Sequence, residues 1–292
     1  MKRLIACSAL FLLPLTALAK DAPCAFGAPR NLQLEVGDAS KVIFEVNQFD
    51  LQLKAGAGPA QLAGRACAST AELLEQLSIS QQRRGDALVV TLQRTSNAGW
   101  KGKQYAWMDI AGTVPDNVLV QLKVGAGDAS IENAKAVSVD GAAGDVTVRN
   151  TRGSVHAAIR AGDLRVEGAD SVNLLSLGAG DATISRVARN VTIGRVAAGD
   201  LDITDVGGNL SVEALASGDL DARQVRGNVD IGSIAVGDAE LHDIGGNIVV
   251  DKLGVGDLDV DGAGGNLTVR SKAMGDVKHK GVRGTVSLPT RK

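Results

Sequence analysis

Aromatic residues, net charge and long hydrophobic runs are all scarce in this sequence. It has four phenylalanines, two tryptophans and one tyrosine among 292 residues, and none of them follows Trp107. Sugar-binding grooves commonly use flat aromatic rings as platforms, and the residues after 107 lack them. The formal net charge is −2, which implies no general attraction to nucleic acid or to anionic lipid.

The first residues form the one long apolar run. Lys2 and Arg3 precede the run 4–19, which closes with the small-x-small cleavage signal Ala17-Leu18-Ala19. This pattern predicts a secretory signal peptide over residues 1–19. No later run approaches the ~20 apolar residues that span a bilayer as a helix. We therefore expect an exported mature chain without a transmembrane segment, located in the periplasm or outside the cell.

Cysteine is rare as well, with three residues in the chain. Cys7 lies in the predicted signal peptide, which leaves Cys24 and Cys67. In an oxidising compartment we expect these two to form a disulfide. Closing this loop would stabilise the fold by roughly 3 to 4 kcal/mol in the chain-entropy description. A reactive thiol is the alternative, but neither cysteine has a histidine near it in sequence.

Glycine, by contrast, recurs at a fixed period. A Gly-Asp pair returns with its aspartate at positions 128, 145, 163, 181, 200, 219, 238, 257 and 276, at spacings of 17 to 19 residues. About half a period behind it, a Gly-Asn pair returns at Asn209, Asn228, Asn247 and Asn266. A fixed period of this size is typical of a solenoid, in which each repeat is one coil.

Two strands fit into each repeat. In the repeat that starts at Asp200, apolar and polar residues alternate around Ile203 and again around Val212, as in a strand with one buried face. Glycine every nine or ten residues disfavours helix, where each costs about 1 kcal/mol. The sequence therefore predicts an all-β, single-stranded parallel β-helix or β-solenoid with about 19 residues per coil. Nine coils would make a rod on the order of 40 Å long, and its number of sides stays open.

Residues 20–123 lack the regular period but keep the alternation of strands, at 42–46, 49–53, 87–92 and 118–122. Ser69 followed by Glu72 resembles a capping box, so we predict a short helix near 70–77. We expect this region to form irregular first coils and a cap for the regular solenoid over 124–288, with 289–292 as a tail. Lys272 and His279 fall at core positions of the repeat, which indicates that the stack ends there.

One stretch resembles a known family. The run Val114-Pro115-Asp116-Asn117-Val118-Leu119-Val120, followed by Gly125-Ala126-Gly127-Asp128, is similar to the bacterial "putative adhesin" family of exported β-helical proteins. In that family a strand ending in a Val-Pro phrase leads into repeated Gly-(Ser/Ala)-Gly-Asp turns. The resemblance covers most of the mature chain. It implies an envelope or extracellular β-solenoid of unknown function, and it carries no catalytic residues.

Acidic residues follow the repeat as two outward columns on four successive coils. These are Asp200, Asp202, Asp219, Asp221, Asp238, Glu240, Asp257 and Asp259. Neighbours in a column would lie about 5 Å apart, and like charges that close call for a cation or for protonation. One interpretation is a calcium-stabilised face or a dock for a basic partner. The other is that the leading aspartate of each pair caps backbone N–H groups at a corner and the second is solvated.

The asparagines of the repeat are expected to stack as a structural ladder along the rod. They are Asn190, Asn209, Asn228, Asn247 and Asn266.

Signals for an enzyme are weak. The three histidines, at 156, 242 and 279, lie at different positions of the coil, and none has a serine or cysteine partner recognisable by spacing. Calcium-binding nonapeptide repeats place Asp two residues after Gly, whereas here the acids lie one and three residues after Gly256. We therefore predict a non-enzymatic adhesion or interaction module, or an envelope scaffold, whose partner is an envelope protein or a glycan and not nucleic acid. The alternative is a polysaccharide-binding or polysaccharide-cleaving β-helix.

Overall fold

A computed structural model of the chain describes residues 23–96 and 102–289. The predicted signal peptide lies outside these residues, as do Trp100 and most of the predicted C-terminal tail. The described residues form two long sheets of 13 and 14 strands, here called sheet A and sheet B, and one short helix. Within these two stretches, no helix combines the length and the hydrophobicity needed to cross a bilayer.

The N-terminal part contains seven strands and the helix. They are β1 (Phe26–Gln33), β2 (Lys41–Asn47), β3 (Asp50–Gly56), β4 (Gln61–Ala68), α1 (Ala71–Glu75), β5 (Leu77–Arg84), β6 (Ala87–Arg94) and β7 (Ala106–Pro115).

The remaining strands form the repetitive part. They are β8 (Leu119–Val124), β9 (Ala129–Glu132), β10 (Ala136–Gly141), β11 (Val146–Arg149), β12 (Ser154–Ala161), β13 (Leu164–Ala169), β14 (Ser171–Ala179), β15 (Ala182–Val187), β16 (Val191–Ala198), β17 (Leu201–Val206), β18 (Leu210–Ser217), β19 (Leu220–Val225), β20 (Val229–Val236), β21 (Ala239–Ile244), β22 (Ile248–Val255), β23 (Leu258–Ala263), β24 (Leu267–Val269), β25 (Lys272–Met274), β26 (Val277–Val282) and β27 (Val286–Ser287).

Each regular coil gives one strand to each sheet, and like strands stack in parallel. From β8 onward the even-numbered strands up to β24 lie in sheet B, and the odd-numbered strands from β9 to β23 lie in sheet A. Leu201 pairs with Leu220, and Ile203 pairs with Ala222 one coil on. The predicted all-β parallel solenoid with a repeat of about 19 residues is confirmed. Its coils have two hydrogen-bonded sides, which the spacing left open.

The core is a column of apolar side chains between the two sheets. In the coil that begins at Asp200, six residues point inward, and none exposes more than 1% of its surface: Leu201, Ile203, Val206, Leu210, Val212 and Leu215. Each such side chain contributes about 1.5 to 3 kcal/mol through burial. Because the register between coils is constant, every coil covers the apolar face of the coil before it.

The order of the first coils in space differs from their order in sequence. β2 and β3 form one coil, and β6 and β7, which come later in the chain, stack in parallel on one side of it. β8 and β9 stack in parallel on its other side. The β2–β3 coil therefore lies between the β6–β7 coil and the β8–β9 coil. The chain crosses from one side of it to the other in the connection from β7 to β8. Parallel stacking thus includes residues from the region that lacks the regular period.

Antiparallel strands close this end of the stack. β5 pairs antiparallel with β6 in sheet B, while β4 pairs with β7 and β1 pairs with β4 in sheet A. The disulfide expected between Cys24 and Cys67 is present, and it ties the segment before β1 to β4. Nearby, the Tyr105 hydroxyl accepts the N–H of Ala25 at 2.9 Å, and the Trp107 indole donates to the Pro23 carbonyl at 3.1 Å. The disulfide and these aromatic side chains hold residues 23–25 against the cap.

The helix α1 lies where the sequence predicts one, but its cap differs from the prediction. Thr70 is the N-cap residue, and its hydroxyl accepts the N–H of Leu73 at 3.3 Å. The Ser69 hydroxyl instead accepts the N–H of Tyr105 at 3.2 Å. Ser69 therefore joins the segment before α1 to the residue before β7, a contact across 36 positions that a local capping pattern cannot anticipate.

Candidate functional site

The leading aspartates form a ladder along one corner of the solenoid. Each carboxylate Oδ1 accepts the backbone N–H of the leading aspartate one coil on, at 2.7 to 3.1 Å. The ladder begins at Asp50, which bonds Asp128, and runs to Asp276. Asp50 follows Phe49 and not a glycine, so the repeat pattern in the sequence did not include it.

Glycine precedes each aspartate of the regular ladder because the corner leaves no room for a side chain. Gly218 has φ +128°, and a Cβ on it would lie 2.1 Å from the carbonyl oxygen of Gly199 in the previous coil. Residues other than glycine rarely adopt this backbone conformation. The recurring Gly-Asp pair is thus explained by close backbone approach at the glycine and by hydrogen bonding at the aspartate.

The opposite corner carries the asparagines. The Oδ1 of Asn190 accepts the backbone N–H of Asn209 at 2.9 Å, and the next three asparagines continue at 2.8 Å until Asn266 bonds Thr285. Each asparagine after Asn190 follows a glycine, and this glycine is again crowded: a Cβ on Gly227 would lie 2.2 Å from the Asn209 Oδ1. The two corners thus use the same hydrogen bond, with a charged acceptor at one and a neutral amide at the other.

A left-handed residue begins the asparagine corner of each coil from β9 onward, and no repeated residue type marks it. It lies five residues after each leading aspartate, with φ between +53° and +89°. The residues are Asn133, Asn150, Gly168, Arg186, Asp205, Gln224, Asp243, Gly262 and Gly281. Asparagine and glycine favour this conformation, but arginine and glutamine do not. Because the residue type varies along this column, no repeated motif predicts it from the sequence.

The outer face of sheet A is acidic in its C-terminal half. The sheet A segments 200–206, 219–225, 238–244 and 257–263 contain 11 acidic side chains and one arginine, although the whole chain carries only −2. A shallow groove of about 350 Å³ on this face is lined by Asp181, Thr183, Asp200, Asp202, Asp219 and Asp221. Asp202, Asp221, Glu240 and Asp259 lie one above another in register, which is the second predicted column.

Cations of the same chain partner some of these carboxylates. The guanidinium of Arg223 bonds Asp221, and this contact raises the pKa of Arg223. The Nε2 of His242 lies 3.6 Å from a carboxylate oxygen of Glu240. On the last coil, Lys280 lies 3.0 Å from Asp261, and the hydrogen bond to that carboxylate raises the pKa of Lys280. These pairs offset part of the repulsion, but acidic side chains remain in excess on the face.

The calcium interpretation stays a prediction. Among residues 23–96 and 102–289, no three His, Cys, Asp or Glu side chains are grouped as they would be to hold a metal ion. The alternative interpretation of the leading aspartates, as caps of backbone N–H groups, describes the hydrogen bonds at that corner.

The three histidines are not brought together. His156 lies on sheet B beside Asn173, His242 lies on sheet A beside Arg223, and His279 lies in β26 beside Val260. They therefore form no shared catalytic group.

No protein-family profile matches the chain, and no curated protein matches it. Several solved structures match the chain over about nine-tenths of its length. A "putative adhesin" from Bacteroides fragilis has 16% identity and a TM-score of 0.43, over 91% of this chain and 98% of its own. A "putative cell adhesion protein" from Clostridium sporogenes has 10% identity and a TM-score of 0.26, over 90% and 98%. A "putative lipid binding protein" from Parabacteroides distasonis has 10% identity and a TM-score of 0.29, over 90% and 98%.

Solved structures described as putative adhesins thus match about nine-tenths of this chain, which agrees with the resemblance predicted from the Val-Pro and Gly-Asp phrases. At this identity and these TM-scores, the likeness assigns neither an activity nor a partner.

Proposed function

We propose that the chain is a non-enzymatic, exported β-solenoid that serves as an adhesion or interaction module, or as a scaffold, in the cell envelope. The observation that carries this proposal is the acidic outer face of sheet A between Asp200 and Asp261. Its carboxylates are repeated at the spacing of the coils, about 4.8 Å. A basic segment of an envelope protein, or a glycan with cationic groups, is the partner that such a face fits.

The way the coils are joined supports a binding role for this face. Strand pairing links each coil to the next, and a side-chain hydrogen bond adds a further link at each of the two corners. The strands that carry the carboxylates are therefore held in register before a partner arrives. Binding to a preorganised array loses less conformational entropy than binding to mobile side chains.

Export is supported by two independent features. Residues 1–19 have the composition of a signal peptide, and the disulfide between Cys24 and Cys67 is of the kind that persists in oxidising compartments. Fractionation of cells that express the full chain tests export directly. Recovery of the protein only from the cytoplasm, with both thiols reduced, would contradict it.

The binding proposal is tested with the purified protein on a glycan array and by pull-down from an envelope fraction. We expect retained partners to be lost when Asp202, Asp221 and Asp259 are changed to Asn, and to weaken as salt screens the charges. The matched control is Glu213→Gln with Asp230→Asn and Asp251→Asn, which removes the same number of acidic charges from sheet B. Equal retention by both variants would overturn the role of the sheet A face. Release of reducing or unsaturated sugar ends from an array hit would instead favour the polysaccharide-cleaving alternative.

A further inference from the structure

The two ends of the solenoid differ in how their outermost strands are covered. At the N-terminal end, side chains link the two sheets: Arg30 donates to the carbonyl of Leu77 at 2.9 Å, and Gln81 donates to the carbonyl of Gln33 at 3.0 Å. At the C-terminal end, β26 is the last strand of sheet A and β27 is the last strand of sheet B. No strand within residues 23–96 and 102–289 pairs with the outer edge of either one.

Backbone groups of the last coil point out of this open end. In the residue that starts each sheet A strand, such as Ala239 or Leu258, the N–H donates to the carbonyl of the leading aspartate one coil on, at 2.9 Å. Val277 is the next residue of this column, since it pairs with Leu258. The described part of the chain supplies no further strand to accept its N–H. An exposed strand edge of this kind can take an additional strand from another polypeptide.

The apolar core also reaches the surface at this end. Val277, Val282 and Val286 occupy inward positions of the repeat, but each is partly exposed. The residues that pair with them one coil earlier are all buried: Leu258, Ala263 and Leu267. A strand laid on the open edge would cover these valines, as each coil covers the apolar face of the coil before it.

The charge on the outer face of sheet A changes sign at the last strand. Asp259 pairs with Lys278, and Asp261 pairs with Lys280. The ammonium groups lie 3.8 Å from Asp257 and 3.0 Å from Asp261, yet the two lysine side chains expose 65% and 73% of their surface. Because an ammonium has three donors, each lysine can also bind a carboxylate on its open side. Residues 277–288 contain three basic side chains and no acidic one: Lys278, Lys280 and Arg283.

We propose that the open C-terminal end binds an extended acidic segment of another protein, which adds a strand to the free edge of β26. The backbone of the segment pairs with the edge at Val277, and its apolar residues cover the exposed valines. Its carboxylates, at alternate positions, lie beside Lys278 and Lys280. This surface is separate from the acidic face of sheet A, so the proposal does not depend on the binding role of that face.

A second copy of this chain fits the open end less well. Among the described residues, the strands with a free edge are β1, β5, β25, β26 and β27. Together they contain six basic side chains and no acidic one. Pairing two such edges would bring like charges together, which disfavours association. An acidic strand from another protein meets the opposite charge.

Binding of a labelled peptide, followed by fluorescence anisotropy, tests the site on the purified protein. The probe has the sequence of residues 257–263, Asp-Leu-Asp-Val-Asp-Gly-Ala, because this segment already lies beside β26 on its covered edge. We expect Lys278→Gln with Lys280→Gln to weaken binding about fivefold. The matched control is Lys135→Gln with Arg226→Gln, which removes two exposed charges far from this end and should leave binding unchanged. Equal binding by the two variants would overturn the proposal.

Changes to the peptide test strand pairing without altering the protein. Because a strand bonds each neighbour through alternate residues, N-methylation of one alternate set should abolish binding, and N-methylation of the other set should preserve it. Equal effects of the two sets would overturn strand addition.

The choice of an acidic partner is tested with a peptide that has lysine in place of its three aspartates, which should not bind. Equal binding of this peptide and the acidic one would contradict the proposal. Binding of neither peptide, or retention of an anionic polysaccharide such as polygalacturonate without either peptide, would also overturn it. The lysines would then serve to protect an exposed edge from association.

Discussion

Both corners of each coil use a side chain to join that coil to the next, but the residue types and the turns differ. At both, a side-chain oxygen accepts the backbone N–H of the equivalent residue one coil on. The aspartate corner turns through a glycine near φ +128° at Gly218, where only glycine fits. The asparagine corner turns through a residue near φ +55°, a conformation that Asp205, Gln224 and Arg186 also adopt there.

This difference explains why the two corners differ in sequence. The aspartate corner keeps its Gly-Asp pair in all nine coils, because backbone approach excludes every other residue before the acid. The asparagine ladder covers only the coils from Asn190 to Asn266. A glycine that has both a positive φ and a close backbone contact is therefore kept more strictly than one that is crowded but has an ordinary φ, as at the asparagine corner, where Arg189 takes its place.

The largest expected effect comes from filling the aspartate corner. Gly218→Ala would place a methyl group 2.1 Å from a backbone oxygen in a conformation that alanine avoids. We expect the free energy of unfolding to fall by about 3 kcal/mol. Chemical denaturation measures the loss. Gly58→Ala is the matched control, because its Cβ would have no atom within 4 Å and its stability should hardly change.

Removing one rung from each ladder compares the acceptors directly. Asp219→Ala and Asn228→Ala each take away the acceptor for one backbone N–H, and we expect each to lower the free energy of unfolding by about 1 kcal/mol. Asp219→Asn keeps an acceptor and should recover most of the loss. If Asp219→Asn were as destabilising as Asp219→Ala, charge and not hydrogen bonding would govern that corner.

Replacing a left-handed residue with glycine should stabilise the fold, by less than the losses expected above. Gln224 has φ +58°, and Gln224→Gly is expected to raise the free energy of unfolding by about 0.5 kcal/mol. The reverse change on a later coil, Gly262→Ala, should cost about 1 kcal/mol through the backbone alone, since its Cβ would meet no atom closer than 3.6 Å. Thermal unfolding of both variants tests whether Gln224→Gly raises the melting temperature and Gly262→Ala lowers it.

Arg186 is tolerated at a left-handed position where its guanidinium bonds Glu167 on the preceding coil. The hydrogen bond from Arg186 holds the pKa of Glu167 below its ordinary value, with Arg149 and Arg165 adding to the effect. A carboxyl with a lowered folded-state pKa stabilises the fold above its unfolded pKa, and this contribution is lost as pH falls through the folded pKa.

Glu167→Gln should therefore lower the urea midpoint at pH 7, and this loss should shrink as the pH falls below the ordinary glutamate pKa of about 4.3 and through the lowered folded-state pKa. A loss of equal size at every pH would show that packing, and not charge, explains the effect.

The smallest expected effect concerns calcium, which would act on the acidic face and not on the asparagine corner. If the predicted cation site exists, millimolar calcium should raise the melting temperature by about 2 °C. Changing Asp202, Asp221 and Asp259 to Asn should abolish the gain, whereas Asn228→Ala should leave it intact. An unchanged melting curve with calcium would remove the metal interpretation.

Much of the regular fold could be predicted because its signals are local and repeated. The period of 19, the alternation around Ile203 and the glycines together predict stacked parallel strands, and Leu201 does pair with Leu220. The N-terminal region was predicted only as strands and a short helix. Placing the β2–β3 coil between β6–β7 and β8–β9 depends on pairings between residues about 45 to 80 positions apart, for which no local pattern exists.

The candidate site was predicted as a set of residues but not as an arrangement. The acidic columns followed from the alternation, yet the partners Arg223 and His242 were not recognised. The left-handed column was missed because five residue types occupy it.

The sequence by itself determined the coil, its length and its inward and outward faces, because hydrophobic alternation and glycine corners act within about 19 residues. It also determined which side chains repeat along the rod. Only the tertiary structure decided how the first coils interleave, how antiparallel strands close one end, and which exposed residues form a continuous surface. Those features arise from contacts between coils, whose free energy depends on register and chain path and not on any single segment.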